Sequence, residues 1–177
     1  YLRGEADSMA LELRLHNSKI HQKFVTGNDI TNKIFNTIEQ SRCEAKGSIM
    51  FKGIRANINN KHNKDLLNIN DNNEHKDKII SAFKYVSYAE FTNNELSGKF
   101  SFYKKYLKNK LGDQYSYYMK TLKDNLNNQE KFASNIHSML NNLVFLNLFN
   151  SDDYNQNDDH NQNNLDENNE MIDEDIN

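Results

Sequence analysis

The 177 residues contain no proline, no tryptophan, one cysteine and six glycines. Without proline, no position fixes φ or removes a backbone donor, so nothing obstructs long helices. The single thiol, Cys43, excludes an internal disulfide and fits a reducing, cytoplasmic setting. No apolar run approaches the roughly 20 residues that cross a bilayer, and no secretory signal is visible. Phosphate-cradling glycine loops, nucleophile motifs and Cys-x-x-Cys pairs are also missing, which leaves no recognisable catalytic site. Basic residues vanish from one region: Ser151 to Asn177 carries ten acidic residues and no Lys or Arg. The net charge of -3 therefore divides into an acidic tail and a first 150 residues at about +7. The tail alternates Asp, Asn, Glu and Gln without period, which predicts a disordered segment over 151–177. The start at Tyr1 rather than Met reads as a segment of a longer protein.

What is present is helical periodicity. Ala6, Met9, Ala10, Leu13, Ile20 and Phe24 share one face of a first predicted helix, Ala6 to Phe24. After a turn at Gly27, Asp29 or Thr31 can cap a second helix running to about Met50, giving a long antiparallel hairpin. Asn57 to Asp77, rich in Asn, Lys, His and Asp, reads as a surface loop. Further helices are predicted over Asp77 to Phe91, after Gly98, over Tyr115 to Leu126, and from about Asn128 to Phe149. No period-2 strand is visible. The expected fold is all-α, a bundle of five or six helices over 1–150.

The least generic stretch lies late in the second helix. Ile34, Ile38, Ala45 and Ile49 form an apolar stripe, and Arg42 falls on it. A core-facing guanidinium cannot shed its charge and must find carboxylates and acceptors. Glu39 lies one turn earlier, and the hairpin is expected to bring Glu5 and Asp7 close, which predicts a structural ion-pair network of Arg42, Glu39, Glu5 and Asp7. Glu44, about 200° from Arg42 round the helix, is expected to point outward. Glu44 and Arg3 are the candidate contacts for a partner. Gly47 and Gly53 mark a helix end or a close approach to a neighbour.

Four segments carry a family resemblance: Arg3-Gly4-Glu5-Ala6-Asp7-Ser8, Glu39-Gln40-Ser41-Arg42-Cys43-Glu44-Ala45-Lys46-Gly47, Gly53-Ile54-Arg55-Ala56-Asn57-Ile58 and Leu126 to Ala133. In this order they resemble the opening region of the CobT subunit of aerobic cobaltochelatase. That pattern runs R-G-E-A-D-x-x-A-L, E-Q-x-R-x-E-A-x-G, G-V-x-x-N-L and L-x-D-Q-x-x-F-A. Asn128 stands where the family has Asp. The resemblance implies a non-catalytic docking and assembly segment of an ATP-dependent ligase complex. That complex inserts cobalt into hydrogenobyrinic acid a,c-diamide in cobalamin biosynthesis. The chelation site belongs to CobN and ATP hydrolysis to the AAA+ subunit CobS, so ATP, Mg²⁺ and cobalt belong to the whole complex and no cofactor to this segment. The tail resembles the acidic linker that precedes a von Willebrand A domain in the family, that domain being absent here.

Other chemistry is weaker. His16 and His21 are five apart, about 140° round a helix, and so share no face as ligands. His62 and His75 fall in the predicted loop and are expected at the surface, while Cys43 is expected to be a packed thiol. Asn68 to Glu74 lacks the glycine and carboxylates of a calcium loop. The rival reading is a basic module binding RNA or another polyanion through Lys99 to Lys123, where lysines interleave with aromatic residues. Helical spacing of those rings favours a core role, so nucleic acid is not the expected partner.

Overall fold

Asparagine sets many of the helix boundaries. Its short amide caps an N-terminus well and tolerates the left-handed backbone that ends a helix. The computed structural model describes residues 1–26, 28–69 and 75–145, which hold eight α-helices and no strand. The first, α1 (Leu2–Leu15), stops where His16 turns extended, and Asn17 caps the short α2 (Ser18–Gln22) through bonds from the Lys19 and Ile20 amides. Asn28, not Asp29 or Thr31, caps α3 (Asp29–Met50), accepting from the Ile30 and Thr31 amides at 3.0 and 3.3 Å. An extended Phe51 turns the chain into α4 (Lys52–Asn68). Then follow α5 (His75–Thr92), α6 (Phe100–Leu111), α7 (Gln114–Asp124) and α8 (Gln129–Phe145). Asn93, at φ 51°, ends α5 while the Asn94 amide bonds back to the Ala89 carbonyl at 3.0 Å.

The core gathers around α3, which packs against α1, α4, α5 and α8. Ile34, Ile38 and Ala45 are fully buried with Phe83, Val86, Phe132 and Ile136. The all-α expectation holds, with eight helices among the described residues where five or six were expected. The predicted Ala6 to Phe24 helix is two helices, and the predicted loop from Asn57 to Asp77 begins inside α4. Ile58, Lys61, His62 and Leu66 of α4 are buried. Two predicted faces are also corrected. Met9 and Leu13 of α1 are 65% and 87% exposed, and the buried residues there are Gly4, Ser8 and Leu11. Ile49, placed on the core stripe of α3, is 54% exposed because that helix is about to end. The acidic segment 151–177 and the boundary at 150 lie outside the described residues.

Candidate functional site

Two charged residues of α3, Arg42 and Glu44, lie two positions apart on different sides of the helix, both in contact with α1, and each anchors a buried polar cluster. Arg42 is 1% exposed. Its Nε donates to both Glu39 carboxylate oxygens at 3.1 and 3.0 Å, and Nη2 donates to Glu39 Oε1 at 2.7 Å. The remaining donors take carbonyls that helix ends leave unbonded: Leu15 at the close of α1, 2.8 Å away, and Leu126 just beyond α7, 3.2 Å away. The Leu15 carbonyl is at the negative end of the α1 dipole, where a cation is favoured. The Phe132 ring of α8 lies 5.8 Å from the guanidinium carbon. Arg42 thus fastens three helices to α3.

Glu44 organises the second cluster and is also 1% exposed. Its carboxylate accepts from Ser8 Oγ of α1 at 2.5 Å, Lys61 Nζ of α4 at 2.9 Å, and faces His62 Nε2 at 2.7 Å. Burial alone would push its pKa up. The bond and charge of His62, the Lys61 ammonium and the Ser8 hydroxyl outweigh that and hold the carboxyl well below the usual range. Gln40 Nε2 donates to Ser8 Oγ at 2.7 Å. Against His62 lie Tyr85 and Tyr88, with ring centroids 5.6 and 4.7 Å away. Burial raises the Tyr88 phenol to about 12, and its hydroxyl bonds Ser48 and Asn59.

The four sequence segments meet at these clusters. Gly4 lets α1 touch α4: a Cβ there would stand 2.5 Å from the Asn57 carbonyl oxygen and 2.7 Å from Lys61 Cβ. Gly47 does the same for α1 on α3, where a Cβ would collide with the Leu11 side chain. Asn57 Nδ2 donates to Asp7 at 2.8 Å. In the last segment, the Gln129 amide grips the backbone of Asn17, accepting from its N–H at 2.8 Å and donating to its carbonyl at 3.0 Å. Asn128, where the family has Asp, caps α8 by accepting from the Lys131 amide at 3.0 Å. Asn and Asp are nearly equal in that role, so the departure keeps the geometry.

The structure places the remaining expected site residues differently. Glu5 lies 3.7 Å from Lys61 and Asp7 bonds Asn57, so both belong to the α1–α4 contact and neither touches Arg42. The start of α1 rests on α4, an element that the loop reading omitted. Glu44 does not point outward as a partner contact, because α1 and α4 close over the side of α3 that a two-helix hairpin would leave bare. Arg3 is exposed. His62 is fully buried rather than at the surface. It occupies a helical stripe, Ile54, Ile58, His62, Leu66 and Ile69, whose spacing was the signal for α4.

His16 and His21 come together after all, because the helix breaks between them: their rings meet edge to face at 4.8 Å. His16 Nδ1 lies 3.1 Å from Glu39. Desolvation, then the neighbouring His16, lowers the pKa of His21. A cavity of about 200 Å³ beside them is lined by Glu12, Asn36, Glu39, Gln40 and Cys43. Burial pushes the Cys43 thiol up to about 12. Among the described residues no three of His, Cys, Asp and Glu are arranged to hold a metal ion.

In the Lys99 to Lys123 region the rings of Phe100, Tyr103, Tyr106, Tyr115 and Tyr118 are core, while Phe102 and Tyr117 are exposed. Its lysines point several ways. Lys104 lies 3.3 Å from Glu90, Lys120 pairs with Asp124, Lys123 donates to the Glu90 carbonyl, and Lys108 covers the Tyr115 ring. Five of the seven rings are core and so are not free to stack on bases.

The family model described as cobalamin biosynthesis protein CobT matches residues 1–176. The chain belongs to that family. Membership ties it to cobalamin biosynthesis and to a cobaltochelatase complex. No curated protein and no solved structure matches the chain. The residues that carry the CobT resemblance are those that clamp α1, α4, α7 and α8 onto α3. No helix among the described residues is long and apolar enough to cross a membrane.

Proposed function

We propose that this chain is a non-catalytic docking and assembly segment of the cytoplasmic cobaltochelatase, supporting ATP-dependent insertion of cobalt into hydrogenobyrinic acid a,c-diamide. The AAA+ subunit CobS and the large subunit CobN are its partners, and ATP, Mg²⁺ and the substrate cobalt are handled by them. One observation supports this reading. The CobT pattern residues Arg42, Glu39, Glu44, Gly4 and Gly47 are consumed inside the bundle, holding helices against one another. A pattern built this way specifies a rigid platform rather than a reaction cleft.

Reconstitution tests the proposal. The chain alone is expected to show neither ATP hydrolysis nor cobalt insertion. Mixed with CobS and CobN it is expected to co-elute with at least one of them at micromolar concentration. ATPase activity intrinsic to the chain would overturn the non-catalytic role. Failure to associate with either subunit would overturn the docking role.

A further inference from the structure

The outer face of α1 is apolar. Gly4, Ser8 and Leu11 turn inward onto α3 and α4. On the opposite side Leu2, Ala6, Met9 and Leu13 are exposed, Leu2 by 83%. Their spacing of four, three and four residues is that of a coiled-coil seam. The two edges of this seam differ in charge. At about 100° per residue, Glu5 and Glu12 flank it on one side and Arg3 and Arg14 on the other.

We propose that this face binds the same face of a second copy of the chain, the two α1 helices lying parallel about a two-fold axis. Leu2, Ala6, Met9 and Leu13 then each meet their own counterpart. The same symmetry lays the edge of Glu5 and Glu12 against the copy's edge of Arg3 and Arg14, and repeats the contact on the other side. An antiparallel pairing would press acid on acid and base on base, so charge selects the parallel one. The inner face of α1 carries its own bundle, so the two bundles stand on opposite sides of the pair without collision. A seam of two heptads is small beside the roughly 800 Å² per partner of a stable interface, so the dimer is weak and concentration-dependent. This pairing needs only the chain itself and stands apart from the chelatase proposal.

Sedimentation equilibrium of the full chain over a concentration series tests it. The expected result is a monomer–dimer equilibrium whose dissociation constant rises at least tenfold in Leu13→Glu, with the circular dichroism spectrum unchanged. Glu12→Arg and Arg14→Glu should each weaken association, and the two combined in one chain should restore it, because both edges then change sign together. Mild oxidation of Leu13→Cys should give a disulfide-linked dimer, since only the parallel arrangement sets Leu13 beside its counterpart. A chain that stays monomeric at every concentration overturns the proposal. So does a dimer indifferent to Leu13→Glu, and so does a monomer that uses this face only for a different subunit.

Discussion

Truncation of Arg42 to alanine strands several groups at once. The Glu39 side chain, 3% exposed, keeps only the His16 ring at 3.1 Å. The Leu15 and Leu126 carbonyls lose their guanidinium donors. Breaking a buried ion pair by removing one partner costs about 3–5 kcal/mol, because the remaining charge sits out of water. An exposed pair would cost at most about 1 kcal/mol. Against a total stability of about 5–15 kcal/mol for a small domain, the larger figure is a severe loss.

The two carbonyls and the carboxylate make different demands, so further variants separate them. Arg42→Lys keeps the charge, but its compact ammonium cannot bridge Glu39 and two helix ends as a planar fork does. It should lose a substantial part of what alanine loses. Glu39→Leu combined with Arg42→Met removes both charges and should recover much of the stability, since a buried ion pair is often worth no more than a packed apolar one. Urea denaturation followed by circular dichroism gives each value, and a double-mutant cycle isolates the coupling. A loss below about 1 kcal/mol for Arg42→Ala would refute the fastening role.

Two further outcomes follow from the same geometry. Glu44 has a folded-state pKa held below its ordinary value of 4.5, so its contribution is fully present above that value and is lost as pH falls through the folded pKa. Below about pH 4.5 the unfolded chain binds the extra proton, and Glu44→Gln should flatten the acid-side decline in urea-derived stability measured from pH 4.5 downward; an unchanged slope would show that Glu44 is not held ionised by Lys61 and His62. Gly4→Ala should destabilise by about 1–3 kcal/mol through overpacking, despite alanine's higher helix propensity, whereas Gly53→Ala, with nothing within 4 Å of its added Cβ, should gain up to about 1 kcal/mol. Thermal midpoints that move the same way for both would contradict the close approach at Gly4.

Much of the fold can be read from the sequence because most helices bury an ordinary apolar stripe. Ile34, Ile38 and Ala45 in α3 and Phe132, Ile136, Met139 and Leu143 in α8 are core at the expected spacing. The burial of Arg42 against Glu39 follows from its place on such a stripe. What escaped the sequence was α4, where Lys61 and His62 occupy core positions because Glu44 stands opposite them. Composition alone made that stretch look like a loop. A polar residue on a buried stripe becomes legible only once its partner is known, and the partner lay 17 residues back for Lys61 and 18 for His62. The meeting of His16 and His21 was hidden for a similar reason. Angles round a continuous helix do not apply once the chain turns extended at His16.

The face of α1 shows what periodicity can and cannot decide. Spacing identifies residues that share a side of a helix, but the side that turns inward is settled by which one allows contact. On α1 the inward side carries Gly4, Ser8 and Leu11, two of them small, because Asn57 and Lys61 approach within reach of the Gly4 backbone and Glu44 takes the Ser8 hydroxyl. Turning Met9 and Leu13 inward would require α1 to lift away from α3 and α4. That would leave the Glu44 carboxylate without Ser8 and open the helix end that Arg42 holds at Leu15. Buried charge bound to short polar partners is stricter about distance than apolar contact, since an unmade hydrogen bond in the interior costs about 1–3 kcal/mol. The polar clamp therefore fixes how α1 sits, and the apolar stripe is left facing out as a consequence of it.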